Sequence, residues 1–392
     1  MIYLDNSATT RPFDRVVQKM AQSMGEGFFN PSSLYAQALL ASDEIKRAKG
    51  LISAALGGVD RVALTGGGTE ADNLAILGLA DGLRGRKAGF ITTSVEHPAV
   101  LECFRRLQEQ GHETYLAPVD ASGVVRVDEL VDHVGENTAL VSVMQINNEV
   151  GAIQPIAQIA VRVKEKNPKT LVHVDGVQGF LRQDISLRAL GVDLYSLSAH
   201  KIHGPKGVGA LAMVGKPPLA ARMLGGGQEE GLRSGTENMP GIVGLAEAIA
   251  CFNQLNEAAE KMFALKLRLA EGLLRALPES RINGPAPELG APHILNVSRW
   301  SVSALRECAA RCCCTPWKGK ASWSPPARPV LATSVRLPRC SRPWAWIPDG
   351  WRGPSAFPYA PSTRRRKSTA PSISIWRTQE TRSSSPSSRR RC

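Results

Sequence analysis

The chain has 392 residues, 43% of them apolar, enough for two domains and a substantial core. Its formal charge of +13 sits at one end: residues 301–392 hold 18 of the 48 Lys and Arg against Glu307, Asp349 and Glu380, a net +15, which leaves −2 on residues 1–300. A near-neutral body argues against a specific nucleic-acid partner. No apolar run has the length of a membrane span, and MIYLDNSATT lacks a basic region followed by an apolar stretch, so a soluble, cytoplasmic protein without membrane contact is expected. Six of the eight cysteines also fall in residues 301–392. The adjacent Cys312, Cys313 and Cys314 lack CxxC spacing and a nearby histidine, so no metal site is expected.

From Val16 to about Ala250, amphipathic helical segments alternate with short β-rich runs, the pattern of an α/β sheet with ligands at its strand ends. The first informative stretch is ALTGGGTEADNLAI (63–76), which reads as a strand, a Gly-rich turn and a helix start. Backbone N–H groups from Gly68 onward, with the Thr69 hydroxyl, suit a phosphate cradle, although Gly-rich turns are common. AGFITTSV (88–95) is a predicted strand, and His97 just beyond it is placed to stack on a flat cofactor or to move protons; a structural histidine before proline fits too. ALVSVMQI (139–146) and TLVHVD (170–175) are further strands, the second ending at Asp175 with Gln178 three residues on. An aspartate facing a pyridine nitrogen keeps it protonated and makes the ring an electron sink; an Asp capping the next helix explains DGVQ equally well. DLYSLSA (193–199) leads into Ser198, His200 and Lys201, where a lysine can form a Schiff base with an aldehyde cofactor while the hydroxyl and imidazole contact its phosphate. Residues 247–277 have no proline and one glycine and are predicted as a single long helix, followed by a strand-like HILNVS (293–298). Beyond it, scattered Trp, Pro and Ser without periodicity predict disorder over residues 299–392.

Cradle, stacking histidine, aspartate and lysine, each at a strand end and in this order, resemble the cysteine desulfurases, class V aminotransferases of the fold-type I pyridoxal-phosphate group. YLDNSATT (3–10), NPSS (30–33), GGTEADNLAI (67–76), EHPAVL (96–101), NNEVGAIQPI (147–156), HVDGVQ (173–178), SAHKIHGPKG (198–207), GGGQEEGLRSGTEN (225–238) and HILNVS (293–298) carry the resemblance. It implies an α/β fold with a mostly parallel central sheet flanked by helices, plus a smaller, incomplete α/β domain. Residues 16–253 form the large cofactor-binding domain in that scheme, and 1–15 with 254–298 the remnant of the small one. The cofactor implied is pyridoxal 5'-phosphate. Lys201 is its Schiff-base lysine, Asp175 pairs the pyridine nitrogen, Gln178 contacts the ring hydroxyl, and Gly68, Thr69, Ser198 and His200 hold the phosphate. Thr236 reaches across from the second subunit of a homodimer, His97 stacks on the ring and shuttles protons, and Asn148 seats the substrate carboxylate. The reaction implied converts L-cysteine to L-alanine and passes sulfur to an acceptor or iron–sulfur scaffold protein. Tyr35, where the family often has His, and Glu230, where many members have Arg, are small departures.

One element of the family is missing: the loop Ser-Thr-Gly-Ser-Ala-Cys, whose thiolate takes the sulfur, occurs nowhere in the chain. Codons built from the last base of each residue's codon and the first two of the next restore it. In that frame Lys320–Val330 permits Gly-Val-Leu-Val-Ser-Thr-Gly-Ser-Ala-Cys, with the cysteine across Pro329 and Val330, and Pro354–Tyr359 permits Ile-Arg-Phe-Ser-Leu, whose arginine resembles the family's carboxylate clamp. A one-base frameshift between about Arg299 and Ala304 explains the tail, and leaves an enzyme impaired as it stands. Two other readings are a selenocysteine lyase or related aminotransferase, and a non-enzymatic binder of nucleic acid or anionic surfaces through the basic tail. The coding DNA tests the frameshift: the alternative frame is expected to read through the family's residues, and a stop codon there refutes it.

Overall fold

The computed structural model describes residues 2–255 and 258–299, and everything below concerns these. The predictions for residues 300–392, disorder and frameshift included, lie outside them. The described chain opens with helices α1 (Asp14–Gly25) and α2 (Ala36–Ala55), then alternates through β1 (Arg61–Thr65), α3 (Gly68–Gly82), β2 (Gly89–Thr93), α4 (Pro98–Glu109), β3 (Glu113–Ala117), α5 (Val127–Asp132) and β4 (Thr138–Met144). It continues through α6 (Ile156–Lys166), β5 (Leu171–Asp175), α7 (Leu187–Leu190), β6 (Leu194–Ser198), β7 (Gly209–Met213), α8 (Met239–Phe252), α9 (Ala258–Ala276), β8 (Ser280–Asn283) and β9 (Asn296–Arg299).

Seven strands form one sheet in the order β1-β7-β6-β5-β4-β2-β3. Pairing is parallel from β3 through β6, and β7 runs antiparallel to both β6 and β1. The mostly parallel sheet expected from the sequence is therefore present, with β7 inserted against its grain. Its strands are apolar on both faces because helices cover both. On one face Val141, Val143, Val172, Val174, Tyr195 and Leu197 pack beneath α1, α2, α6 and α8. On the other, Phe90, Leu140, Leu194 and Leu211 pack beneath α3 and α4. The β1, β2, β4, β5 and β6 strands all point their carboxyl ends to the same edge of this sandwich, the edge at which an open α/β sheet binds ligands.

Local signals set the helix starts. Pro98 occupies the first turn of α4, where its missing N–H costs nothing, and the His97 ring nitrogen accepts the Ala99 N–H at 3.1 Å. At α8 the Asn238 side chain accepts the Gly241 N–H at 3.2 Å, again with a proline in the first turn. The single helix predicted over 247–277 is corrected to two: α8 ends at Phe252 and α9 begins at Ala258. The break is chemical. Asn253, Gln254 and Leu255 follow the end of α8, asparagine competes with the backbone for hydrogen bonds, and the Gln254 and Leu255 N–H groups bond three residues back, to Cys251 and Phe252, rather than four. Two strands not singled out in the sequence, β3 and β7, complete the sheet; GALAM in β7 is too rich in small residues to carry a strand signal.

Phe104 of α4 meets Phe90 of β2 edge-on at 6.5 Å, and both are fully buried. Phe104→Ala is expected to lower unfolding free energy by about 3–5 kcal/mol in urea denaturation.

Candidate active site at the strand ends

The strand ends enclose a cleft of about 470 Å³. Nine of the ten residues singled out in the sequence line it: Gly68, Thr69, His97, Asn148, Asp175, Gln178, Ser198, His200 and Lys201. Thr236 does not. It is exposed on the loop that precedes α8, away from its own chain's cleft.

Each side chain arrives at the cleft by a strand or a helix start. The β1 strand delivers the chain to Gly67, whose φ of 152° suits glycine, and α3 then begins at Gly68 with its unbonded N–H groups turned to the cleft end. A Cβ on Gly68 would lie 2.5 Å from Val177 Cγ2, so the close approach of this turn to the β5 end requires glycine. At the end of β5, Asp175 is 5% exposed and its Oδ1 accepts the Val177 N–H at 3.0 Å. Gly176 must also lack a side chain, since a Cβ there would sit 1.8 Å from the Tyr195 ring. The Tyr195 hydroxyl in turn donates to Gln145 Oε1 at 2.6 Å, which braces the ends of β4, β5 and β6 together.

The N-terminal segment closes one side, a role the YLDNSATT match did not disclose. Thr10 bonds the His200 carbonyl through both its N–H, at 2.9 Å, and its hydroxyl, at 2.8 Å. The Ser7 carbonyl accepts from Gln178 Nε2 at 2.8 Å and from Lys201 Nζ, and the Ala8 carbonyl accepts from Lys201 Nζ at 3.0 Å. His200 Nδ1 lies 3.1 Å from the Thr9 hydroxyl. Also unannounced in the sequence are Asp5, Asp72, Met144, Ile146, Glu149 and Val177, which complete the lining, because nothing local in sequence distinguishes them.

The electrostatics match this geometry. Burial holds the Asp175 carboxyl above the usual carboxylate range, against the pull of the Val177 N–H, His97 and Lys201. Burial and the nearby Arg182 guanidinium lower the Lys201 ammonium, which favours the free amine. Burial lowers His97, and it lowers His200 to about 4 with help from Lys201 and Lys206, so both rings are neutral near pH 7. Since His97 Nδ1 accepts the Ala99 N–H, the proton of its neutral ring is on Nε2.

This cleft fits pyridoxal phosphate. A buried carboxyl in no ion pair among the described residues suits a protonated ring nitrogen, and a helix start beside Thr69, Ser198 and a neutral imidazole suits a phosphate. A lysine of lowered basicity suits an aldehyde. Among the described residues no cluster of three or more metal-ligating side chains occurs, and no helix is long and apolar enough to cross a membrane.

Glu96, immediately before His97, is 4% exposed; its Oε1 accepts from the Thr93 hydroxyl at 2.6 Å and the Met144 N–H at 3.0 Å. Burial pushes its carboxyl from 4.5 up to about 8. The neutral form is the one the fold stabilises, so this contribution is full below the unfolded value and is lost as pH climbs through about 8. Denaturation midpoints are expected to fall between pH 5 and 8.5, and Glu96→Gln is expected to flatten that fall.

The aminotransferase class-V family matches residues 2–306. Cysteine desulfurase IscS of Clostridium botulinum is 40% identical over 286 residues, 72% of each chain. Among solved structures, a NifS-like protein superposes with a TM-score of 0.74 at 40% identity, covering 79% of this chain and 85% of its own. SspA in complex with cysteine follows at a TM-score of 0.70 and 32% identity, covering 79% and 87%. With its fold, its cleft and more than three quarters of its length in register, this chain belongs to the class-V aminotransferase family of pyridoxal-phosphate enzymes.

Proposed function

We propose that residues 2–299 are the cofactor-binding body of a cysteine desulfurase, which converts L-cysteine to L-alanine and supplies sulfur for iron–sulfur cluster assembly. The observation that carries this reading is the convergence of nine expected residues in one cleft, together with relatives named for that activity. Bound pyridoxal phosphate supplies an electron sink for the substrate. Around it, the α3 start with Gly68, Thr69, Ser198 and His200 holds the phosphate, and Gln178 contacts the ring hydroxyl. Asp175 keeps the ring nitrogen protonated, Lys201 provides the attaching amine, His97 stacks and moves protons through Nε2, and Asn148 meets the substrate carboxylate. Thr236, exposed and apart from its own cleft, reaches the phosphate of a second copy in a homodimer.

Sulfur transfer needs a thiolate at the cleft, and the described residues offer none. Cys103 is buried with its thiol pushed up to about 12, while Cys251 is half-buried on α8, and neither lines the cleft. The family match ends at residue 306, close to the point at which the reading frame shifts in our reading, which supports loss of the sulfur-accepting loop by that event. In the domain scheme, residues 16–253 are the large domain, and 1–15 with 254–298 are what remains of the small one. Leu265, Leu269 and Leu274, exposed along α9, fit a face that the family's C-terminal residues cover. The protein acts in the cytoplasm, its sulfur destined for an acceptor or scaffold protein.

Titration with pyridoxal phosphate is expected to give a lysine-bound absorbance band that Lys201→Ala abolishes. Asp175→Ala is expected to weaken uptake by about 3 kcal/mol, roughly a hundredfold. The chain as given should release no alanine from cysteine, and the frame-corrected chain should; absence of the band from soluble wild-type protein refutes the reading.

A further inference from the structure

The sheet face beneath α3 and α4 changes character in steps toward the cleft. Phe90, Leu140 and Leu194 lie lowest, among the apolar cluster. Two residues on along the strands come Ser142, His173 and Ser196, all fully buried, and the next step reaches Met144, Asp175 and Ser198 at the cleft lining. The middle step is a hydrogen-bonded belt across three strands: His173 Nδ1 lies 2.8 Å from the Ser142 hydroxyl, and its Nε2 lies 2.9 Å from that of Ser196. Both strand pairs hold it in register, Ser142 opposite His173 and Asp175 opposite Ser196.

Asp72 of α3 drops onto this belt. It is 1% exposed, it lines the cleft, and its Oδ1 has no hydrogen-bond partner among the described residues. Ser196 of the belt pulls its carboxyl back toward the charged form, but less than burial and Asp175 push it away. The His173 ring is no counter-ion: Nε2 stands 3.7 Å away, beyond hydrogen-bonding distance, and both ring nitrogens already engage hydroxyls. The other titratable groups facing Asp72 are Asp175, Glu96 and the Cys103 thiol, none of them a cation. An ionised carboxylate here is buried without a partner beside a second carboxylate, and two such groups do not both ionise.

We infer that Asp72 is a positioning residue: held in the cleft floor against the Ser196–His173–Ser142 belt as a neutral carboxylic acid, it leaves Asp175 as the buried negative charge facing the cofactor ring. The functional half of this rests on the pyridoxal-phosphate reading; the proton on Asp72 does not. The direction of the shifts agrees, since burial, then Asp175, push Asp72 well up, while burial lowers His173 to about 3.

Infrared difference spectra of the cofactor-free protein test the proton. Wild type minus Asp72→Asn is expected to contain a protonated-carboxyl stretch, moved by deuterium exchange, at pH 7 and still present at pH 9. Wild type minus Glu96→Gln serves as the control, with a band that fades as pH rises through about 8. In the loaded protein Asp72→Asn, a neutral isostere, should take up pyridoxal phosphate within about twofold of wild type and keep the pH midpoint of the bound chromophore. Asp72→Ala leaves a hole against the belt and should weaken uptake about tenfold. No carboxyl band in the Asp72→Asn difference overturns the inference, and so does a midpoint displaced by about one unit in Asp72→Asn, the mark of a lost neighbouring charge. If wild type takes up no cofactor, the reading of the cleft fails, and the infrared bands still decide the state of Asp72.

Discussion

A carboxyl group buried at the end of β5 is what the rest of the cleft answers to. Asp175 has one backbone N–H for company, and its other neighbours at the cleft are a neutral imidazole and an amine of lowered basicity. Burial alone disfavours its charge, so the site is at its most stable with a cation delivered from outside. On the same cleft, the start of α3 presents unbonded N–H groups and a positive helix pole, which favour an anion. The cleft thus offers a place for a cation beside Asp175 and a place for an anion at the α3 start, the two charges that pyridoxal phosphate carries. Orientation follows from charge before any side chain makes a specific contact.

Holding that carboxyl where it is requires three strands to end in a fixed relation. Gly176 and Tyr195 leave no room for each other's displacement, and Gln145 ties the tyrosine hydroxyl to the end of β4. Residues 7–10 then bind the far side, because Ser7 accepts from both Gln178 and Lys201, and Thr10 bonds the carbonyl of His200 twice. The first ten residues therefore hold the lysine amine close to the cleft. An amine engaged with two carbonyls must release them to reach an aldehyde carbon, and burial reduces the charge that makes such release costly.

Much of this was legible in the sequence, for identifiable reasons. β-Branched runs such as LVHVD announce parallel strands because both faces are buried, and a polar residue at the end of each run is already a candidate ligand contact. That logic located Thr69, His97, Asp175, Ser198 and Lys201. What escaped it depends on contacts between distant segments. Asp72 sits inside a helix whose apolar pattern reads as core; its place against His173 exists only once α3 lies across β5 and β6. The covering role of Ser7 and Ala8 needs the chain to return after some 190 residues. The 247–277 helix was misjudged for the opposite reason: a long apolar period concealed a short polar break.

The distribution of function along the chain separates two capacities that work together in an intact desulfurase. Every residue that lines the described cleft falls between Asp5 and Lys201, and the folded sheet that carries them is closed by β7 before residue 214. The thiol that receives sulfur belongs, in the family pattern, to a loop encoded beyond residue 300. The reading-frame change we propose falls between them, so it would remove the second capacity without touching one residue of the first. Cofactor capture draws on charges fixed around a cleft, whereas sulfur transfer needs a mobile nucleophile reaching into it, so the two need not be lost together.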